Sequence, residues 1–203
     1  MLHPNFVILG AVIGFLGGLS YLISTIRGET KPNRLTWFLW AIAPFIAFAA
    51  EIKEGVGIQS LMTFMVGFTP LLIFLASFVN KKSVWKLGRF DFICGVLSLT
   101  GLFLWYITKN GNFAILFGIS ADGLAAAPTL VKSYSFPETE NYHVYLTAAI
   151  SAAITLLTID IWNFAHFGFP LYILILCTIF VFLIKFRAGK SIKKLLTTTY
   201  LNI

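Results

Sequence analysis

The chain has 203 residues, of which 58% are hydrophobic, 16% aromatic and 11% charged, with a formal net charge of +7. An ordinary soluble domain is about 25% charged, so there is too little polar surface here to coat a globule and enough apolar sequence for many spanning helices. Nucleic-acid binding is not the reading of the excess positive charge, because the basic residues cluster at the ends of apolar runs, where they anchor helices and set topology.

In chain order, seven apolar runs are predicted as helices: Phe6–Ile26, Leu35–Ala50, Ile58–Val79, Phe90–Ile107, Phe113–Val131, Val144–Ile161 and Phe167–Phe186. A helix needs about 20 residues to cross the hydrocarbon core, within roughly 17–25. The second run is slightly short. Asp160, Asn163 and His166 interrupt the passage from the sixth run to the seventh. The first run is preceded by no basic segment of the signal-peptide kind and is read as a retained helix. Cys94 and Cys177 each lie within an apolar run, without metal-type spacing, and read as small core residues.

The order of the runs contains a repeat. Arg27 is followed five residues later by Pro32, and Lys132 by Pro137, a spacing of 105 residues between the pairs. Val66-Gly67-Phe68-Thr69-Pro70-Leu71 is echoed by Phe167-Gly168-Phe169-Pro170-Leu171. The expected fold is therefore an all-α polytopic membrane protein with seven transmembrane helices. Two parallel three-helix bundles are joined by an inverting linker helix. The expected units are residues 1–82, the linker 83–109, the second unit 110–187 and a basic tail 188–203.

Lys and Arg fix the expected orientation. Arg27, Lys31, Arg34, Lys81, Lys82, Lys86, Arg89, Lys132 and five residues from Lys185 to Lys194 fall on one side, against Lys53 and Lys109 on the other. Basic loops stay cytoplasmic. The N-terminus is expected outside and the C-terminus inside, in the plasma membrane of a prokaryote. The tail at Lys190–Lys194 also has the charge to meet anionic lipid.

Three plus one plus three helices, with parallel repeats and an outer N-terminus, resemble the SWEET and PQ-loop superfamily, which includes sugar uniporters, lysosomal amino-acid exporters and the KDEL receptors. The best local match is Ala127-Pro128-Thr129-Leu130-Val131-Lys132-Ser133, which is similar to the family's Pro-Gln segment with Thr129 in place of Gln. Pro44 and Pro128 match family prolines of the second and fifth helices, while the first helix carries Gly17-Gly18 instead. The resemblance implies transport of a small polar solute by alternating access, with proton coupling as an option, or a ligand-binding or sorting receptor that does not transport.

Asp122, near the middle of the fifth run, is the sharpest candidate. An ionised acid at the bilayer centre costs about 2.5–3.5 kcal/mol on insertion scales, and no Lys or Arg lies mid-membrane to pair with it. It faces a wet cavity, binds a proton or cation, or hydrogen-bonds to a neighbouring helix. Trp162 and Asn163 form a second candidate pair, since an aromatic face beside an amide suits a small polar solute. Interfacial belt chemistry explains the same tryptophan. Gln59 and Thr63 are the candidates of the first unit. Trp37 and Trp40, three apart, share one helix side and read as belt anchors or an inner gate. Pro44 and Pro128 are expected to aid gating, because a mid-helix proline removes a hydrogen bond and permits a kink. Pro70 and Pro170 have the same chemistry. Gly14, Gly17, Gly18 and Gly123 are expected to let helices approach closely. Glu51, Glu54 and Asp160 are expected as solvated charges at outer helix ends.

No paired carboxylates, embedded histidine cluster or nucleophile–base motif suggests an enzyme. No metal or cofactor is expected, and the bilayer and a small solute are the expected partners. The lysine of the seventh run, Lys185, is at its end, which disfavours a Schiff-base pigment. Two units are expected to enclose a cavity without a second chain.

Overall fold

The structure, a computed structural model, describes residues 2–83, 85–108 and 111–189. Lys109 and the tail lysines from Lys190 onward, which entered the orientation argument, lie outside the described residues. Among the described residues there are seven α-helices, one 3-10 turn at Pro137–Thr139 and no strand. The helices are α1 Phe6–Arg27, α2 Arg34–Lys53, α3 Ser60–Ala76, α4 Arg89–Thr108, α5 Gly111–Ser135, α6 Tyr142–Leu157 and α7 Phe164–Lys185.

Their ends follow local chemistry. Three asparagines serve as N-caps: Asn33 accepts from the Thr36 amide at 3.3 Å, Asn141 from the His143 amide at 2.9 Å and Asn163 from the His166 amide at 3.2 Å. Each satisfies an amide that the first helical turn leaves open. α1 ends at Gly28, whose φ of 81° is the left-handed conformation that glycine adopts without strain. α6 stops at Leu157, earlier than expected, because the polar stretch from Thr158 to Asn163 offers the backbone local partners. Asp160, for example, accepts from the Ile161 amide at 2.9 Å. α2, expected to be short, has 20 residues, whereas α3 has 17 and α6 has 16.

Four spans, Phe6–Arg27, Arg34–Lys53, Asn112–Ser135 and Phe164–Lys185, are long and apolar enough to cross a membrane, and α3 and α6 are apolar but shorter. The outside of the protein is correspondingly oily. Ile8, Leu9, Val12, Leu16 and Ile23 of α1, Phe92, Ile93, Val96, Leu97 and Phe103 of α4, and Ile175, Ile179 and Phe182 of α7 are all exposed. Many polar side chains lie inside, including Thr36, Glu51, Thr63, Asp122, Thr129, Lys132 and Glu140. A surface so apolar around an interior so polar fits hydrocarbon as the solvent, not water.

The helices close a ring. α1 packs on α6, α6 on α7, α7 on α5, α5 on α2, α2 on α3, and α3 back on α1. Smaller contacts of α3 with α6 and α7, and of α2 with α7, cross the interior. α4 stands outside the ring, against α5 and α2. Close approach at α1 rests on two adjacent glycines. A Cβ on Gly17 would lie 1.8 Å from Thr147 Oγ1 of α6, and one on Gly18 would lie 2.1 Å from Thr69 Cγ2 of α3. Each therefore seats a different neighbour.

Candidate functional site

The ring surrounds a cavity of about 80 Å³, several times the roughly 10–15 Å³ that one water needs. All six ring helices line it. Gly14 comes from α1, Trp37 and Trp40 from α2, Met62, Val66 and Thr69 from α3, and Asp122 from α5. Tyr145 and Ser151 come from α6, and Ile173, Cys177 and Phe180 from α7. Its wall is mostly apolar and aromatic. Trp37 and Trp40 meet edge to face at 5.2 Å, Trp40 meets Phe180 at 5.8 Å, and Phe180 stacks on Tyr145 at 4.3 Å. Edge-to-face and offset contacts of this kind hold rings in fixed orientations.

Asp122 is the acid of this wall and is 1% exposed. Tyr172 of α7 donates its hydroxyl to Asp122 Oδ2 at 2.7 Å. Asp122 Oδ1 is buried and has no hydrogen-bond partner within the protein. The backbone around the acid is fixed from α2 and α4. Trp40 Nε1 donates to the Asp122 carbonyl at 3.2 Å, Thr36 Oγ1 to the Ala125 carbonyl at 2.9 Å, and Ser98 Oγ to the Ala121 carbonyl at 2.7 Å. One carboxylate oxygen is thus satisfied and held still, and the other is left over beside a cavity.

A second buried polar cluster lies at the end of the ring that carries most of the basic residues. Lys132, at the end of α5, pairs with Glu140 and donates to the Lys31 carbonyl, and both ionic side chains are buried. Tyr21 of α1 donates to Glu140 Oε2 at 2.8 Å, and Tyr145 of α6 donates to the same oxygen at 3.1 Å. Trp85 lies 5.0 Å from the Lys132 ammonium. Asn141 Nδ2 reaches Ser20 and Ser24 of α1, each at 3.2 Å, and the Lys31 amide donates to the Thr139 carbonyl at 3.0 Å. These bonds clamp α1 and the loop after it to the loop between α5 and α6. At the opposite end, Gln59 Nε2 donates to the Thr158 carbonyl at 3.3 Å and the Leu2 amide to the Leu157 carbonyl at 2.9 Å.

No family model matches the chain, nor does any curated protein or solved structure.

The residues singled out from sequence are spread over several parts of the fold. Asp122 lines the cavity. Gln59 and Thr63 are buried at the start of α3, where Thr63 Oγ1 donates to Glu51 Oε1 at 2.9 Å. Glu51, expected in solvent, is 1% exposed, and its Oε2 has no partner. The last turn of α2 turns it inward onto α3. Trp162 is 62% exposed and stacks on Phe167 at 6.0 Å, while Asn163 is exposed and caps α7, also meeting His166 Nδ1 at 2.7 Å. Neither lines the cavity. Pro44 and Pro128 are buried within α2 and α5. Trp37 and Trp40, read as belt anchors or an inner gate, are buried in the cavity wall, which removes the belt alternative.

Sequence reasoning passed over Tyr145, Tyr172 and Glu140. A signal existed for Tyr145: it stands 105 residues after Trp40, the spacing that relates Lys132 to Arg27. Nothing in the sequence separates Glu140, which is buried, from Glu138 two residues earlier. Which acid of that loop meets Lys132 is settled by how the 3-10 turn is packed.

Proposed function

We propose that this chain is a seven-span carrier that moves a small solute across a membrane by alternating access. Two parallel three-helix units, α1–α3 and α5–α7, would be joined by α4, in the manner of the SWEET and PQ-loop proteins. The observation that carries this reading is the cavity lined by all six ring helices with Asp122 in its wall. Midplane sites between two units are the rule for transporters built from repeats.

Support for the two units comes from the contacts between helices. Exchanging α1, α2 and α3 with α5, α6 and α7 maps the contacts among these six onto contacts that are present, α3 on α7 onto itself. α1 on α6 becomes α5 on α2, for example, and α1 on α3 becomes α5 on α7. α4 has no counterpart, as a linker should not.

In this reading the Lys132–Glu140–Tyr21–Tyr145 cluster is the closed gate of the cytoplasmic end. Tyr145 belongs to both gate and cavity, since its ring lines one and its hydroxyl bonds the other. Release of Glu140 would free α1 from the second unit. Pro44 and Pro128, in α2 and α5, would supply bending at the seam between units, because each leaves a carbonyl one turn earlier without its helical donor. Gln59 and Thr63 would belong to the outer end, with Trp162 and Asn163 at its rim. In this reading the basic loops would put the gate on the cytoplasmic side and the N-terminus outside.

Flux in proteoliposomes tests the reading. Saturable solute uptake, with a pH dependence that disappears in Asp122→Asn, is the expected result. The titratable side chains around that acid are Tyr172 and Cys177 of α7. Binding without flux under any imposed gradient would instead favour a receptor of the same fold. Undiminished pH dependence in Asp122→Asn would remove this acid from coupling. Thiol labelling of Lys53→Cys from outside, and of Lys82→Cys only after permeabilisation, is the result expected for the orientation.

A further inference from the structure

We infer that the cavity is built for a small organic ammonium ion with an apolar or aromatic body. The inference rests on the carrier reading for its biology and on the cavity wall for its chemistry. Asp122 Oδ1 is a buried acceptor with no partner in the protein, and Tyr172 occupies the other oxygen. A ligand that donates a charge-assisted hydrogen bond completes the acid. Across the same space stand Trp37, Trp40, Tyr145 and Phe180. Aromatic faces attract an organic cation and shelter its apolar body. The two features together specify a cationic head and an oily remainder.

Other ligand classes fit the wall poorly. An anion meets a carboxylate and no basic side chain, since among the described residues neither Lys nor Arg lines the cavity. A polyol such as a sugar carries many hydroxyls, each needing a partner on burial. Beyond Asp122 the wall offers the unpartnered Trp37 indole N–H and the Thr69 and Ser151 hydroxyls, too few for a polyol, while the Trp40 indole and the Tyr145 hydroxyl are already engaged with the Asp122 carbonyl and Glu140. A divalent metal requires several oxygen ligands, and no cluster of three or more His, Cys, Asp or Glu side chains is present among the described residues.

The test is binding of three near-isosteres to the purified full chain: benzylammonium, benzyl alcohol and benzoate. Trp37 and Trp40 make intrinsic fluorescence a direct readout, with calorimetry as the check. Benzylammonium should bind saturably, benzyl alcohol at least tenfold more weakly, and benzoate not at all. Asp122→Asn should weaken benzylammonium at least tenfold and bring it level with the alcohol. Equal affinity of wild-type protein for the alcohol and the ammonium overturns the inference, as does absence of saturable benzylammonium binding. Both results need no variant. Flux of the same compounds separates this inference from the carrier reading. Selective ammonium binding without transport defeats the carrier and leaves the ligand class. Transport that does not distinguish the alcohol from the ammonium defeats the ligand class and leaves the carrier.

Discussion

Glu140 and Asp122 are both buried acids facing the inside of one helical ring, yet the protein treats them oppositely. Glu140 has Lys132, Tyr21 and Tyr145 around it, so its charge and lone pairs are answered within the chain. Asp122 has Tyr172 on one oxygen and nothing on the other. A buried charge without a partner is costly, and a complete set of partners offsets much of that cost. The first acid is therefore complete as folded and holds two parts of the chain together. The second becomes complete when something else arrives. Glu51 stands between these cases: Thr63 answers one oxygen, the other is free, and it borders no part of the central cavity. Burial alone does not make a site; burial beside space does.

The comparison is broken most directly by neutralising each acid in turn. Glu140→Gln leaves Lys132 buried without its counter-ion and should cost about 3–5 kcal/mol, read as a large fall in thermal stability in detergent. Lys132→Met added to Glu140→Gln should restore most of that loss, because the remaining glutamine still accepts from the two tyrosines. Asp122→Asn should change stability by less than about 1 kcal/mol, since no cation is stranded by it. If both single variants fall equally, Asp122 has a partner in the folded chain and the contrast is lost.

Packing damage provides a control of intermediate size. Gly17→Ala drives a Cβ into Thr147 in the seam between α1 and α6 and should cost about 1–3 kcal/mol. The preference of the protein for ammonium over alcohol should survive it, because the cavity wall is untouched. A smaller loss, about 1–2 kcal/mol, is expected for Tyr172→Phe, which removes the donor to Asp122. The smallest effect belongs to Trp162→Phe. Its side chain is exposed outside the cavity, so stability should move within about 0.5 kcal/mol and ammonium binding should be unaltered. A tenfold loss of binding there would extend the site to the rim of α7.

Much of the architecture was legible from residues alone. Runs of apolar sequence marked all seven helices, and their errors lie at polar boundaries such as Thr158–Asn163, where side chains compete for the backbone. Asp122 was legible too, because one acid in the middle of an apolar helix has no cheap explanation. The aromatic wall was misjudged. A tryptophan near a helix end has the same sequence context whether it faces headgroups or the interior, and only the direction of its helix face decides. Trp37 and Trp40 face inward because α2 is seated between α3 and α5 in the ring.

The sequence by itself determined an all-helical chain suited to hydrocarbon, its helix order, a basic end and one conspicuous acid. Those properties follow from short-range pattern: hydrophobic runs, caps and the placing of lysine and arginine. The tertiary structure decided which polar groups are partners. It joined Lys132 to Glu140 and Tyr21, turned Glu51 onto Thr63, left Trp162 outside, and set Asp122 Oδ1 beside an aromatic cavity. Pairing depends on which faces of distant helices meet, and that is fixed by close approaches such as Gly17 on Thr147 and Gly18 on Thr69. A glycine in the sequence states that a neighbour can come near; only the folded ring states which one.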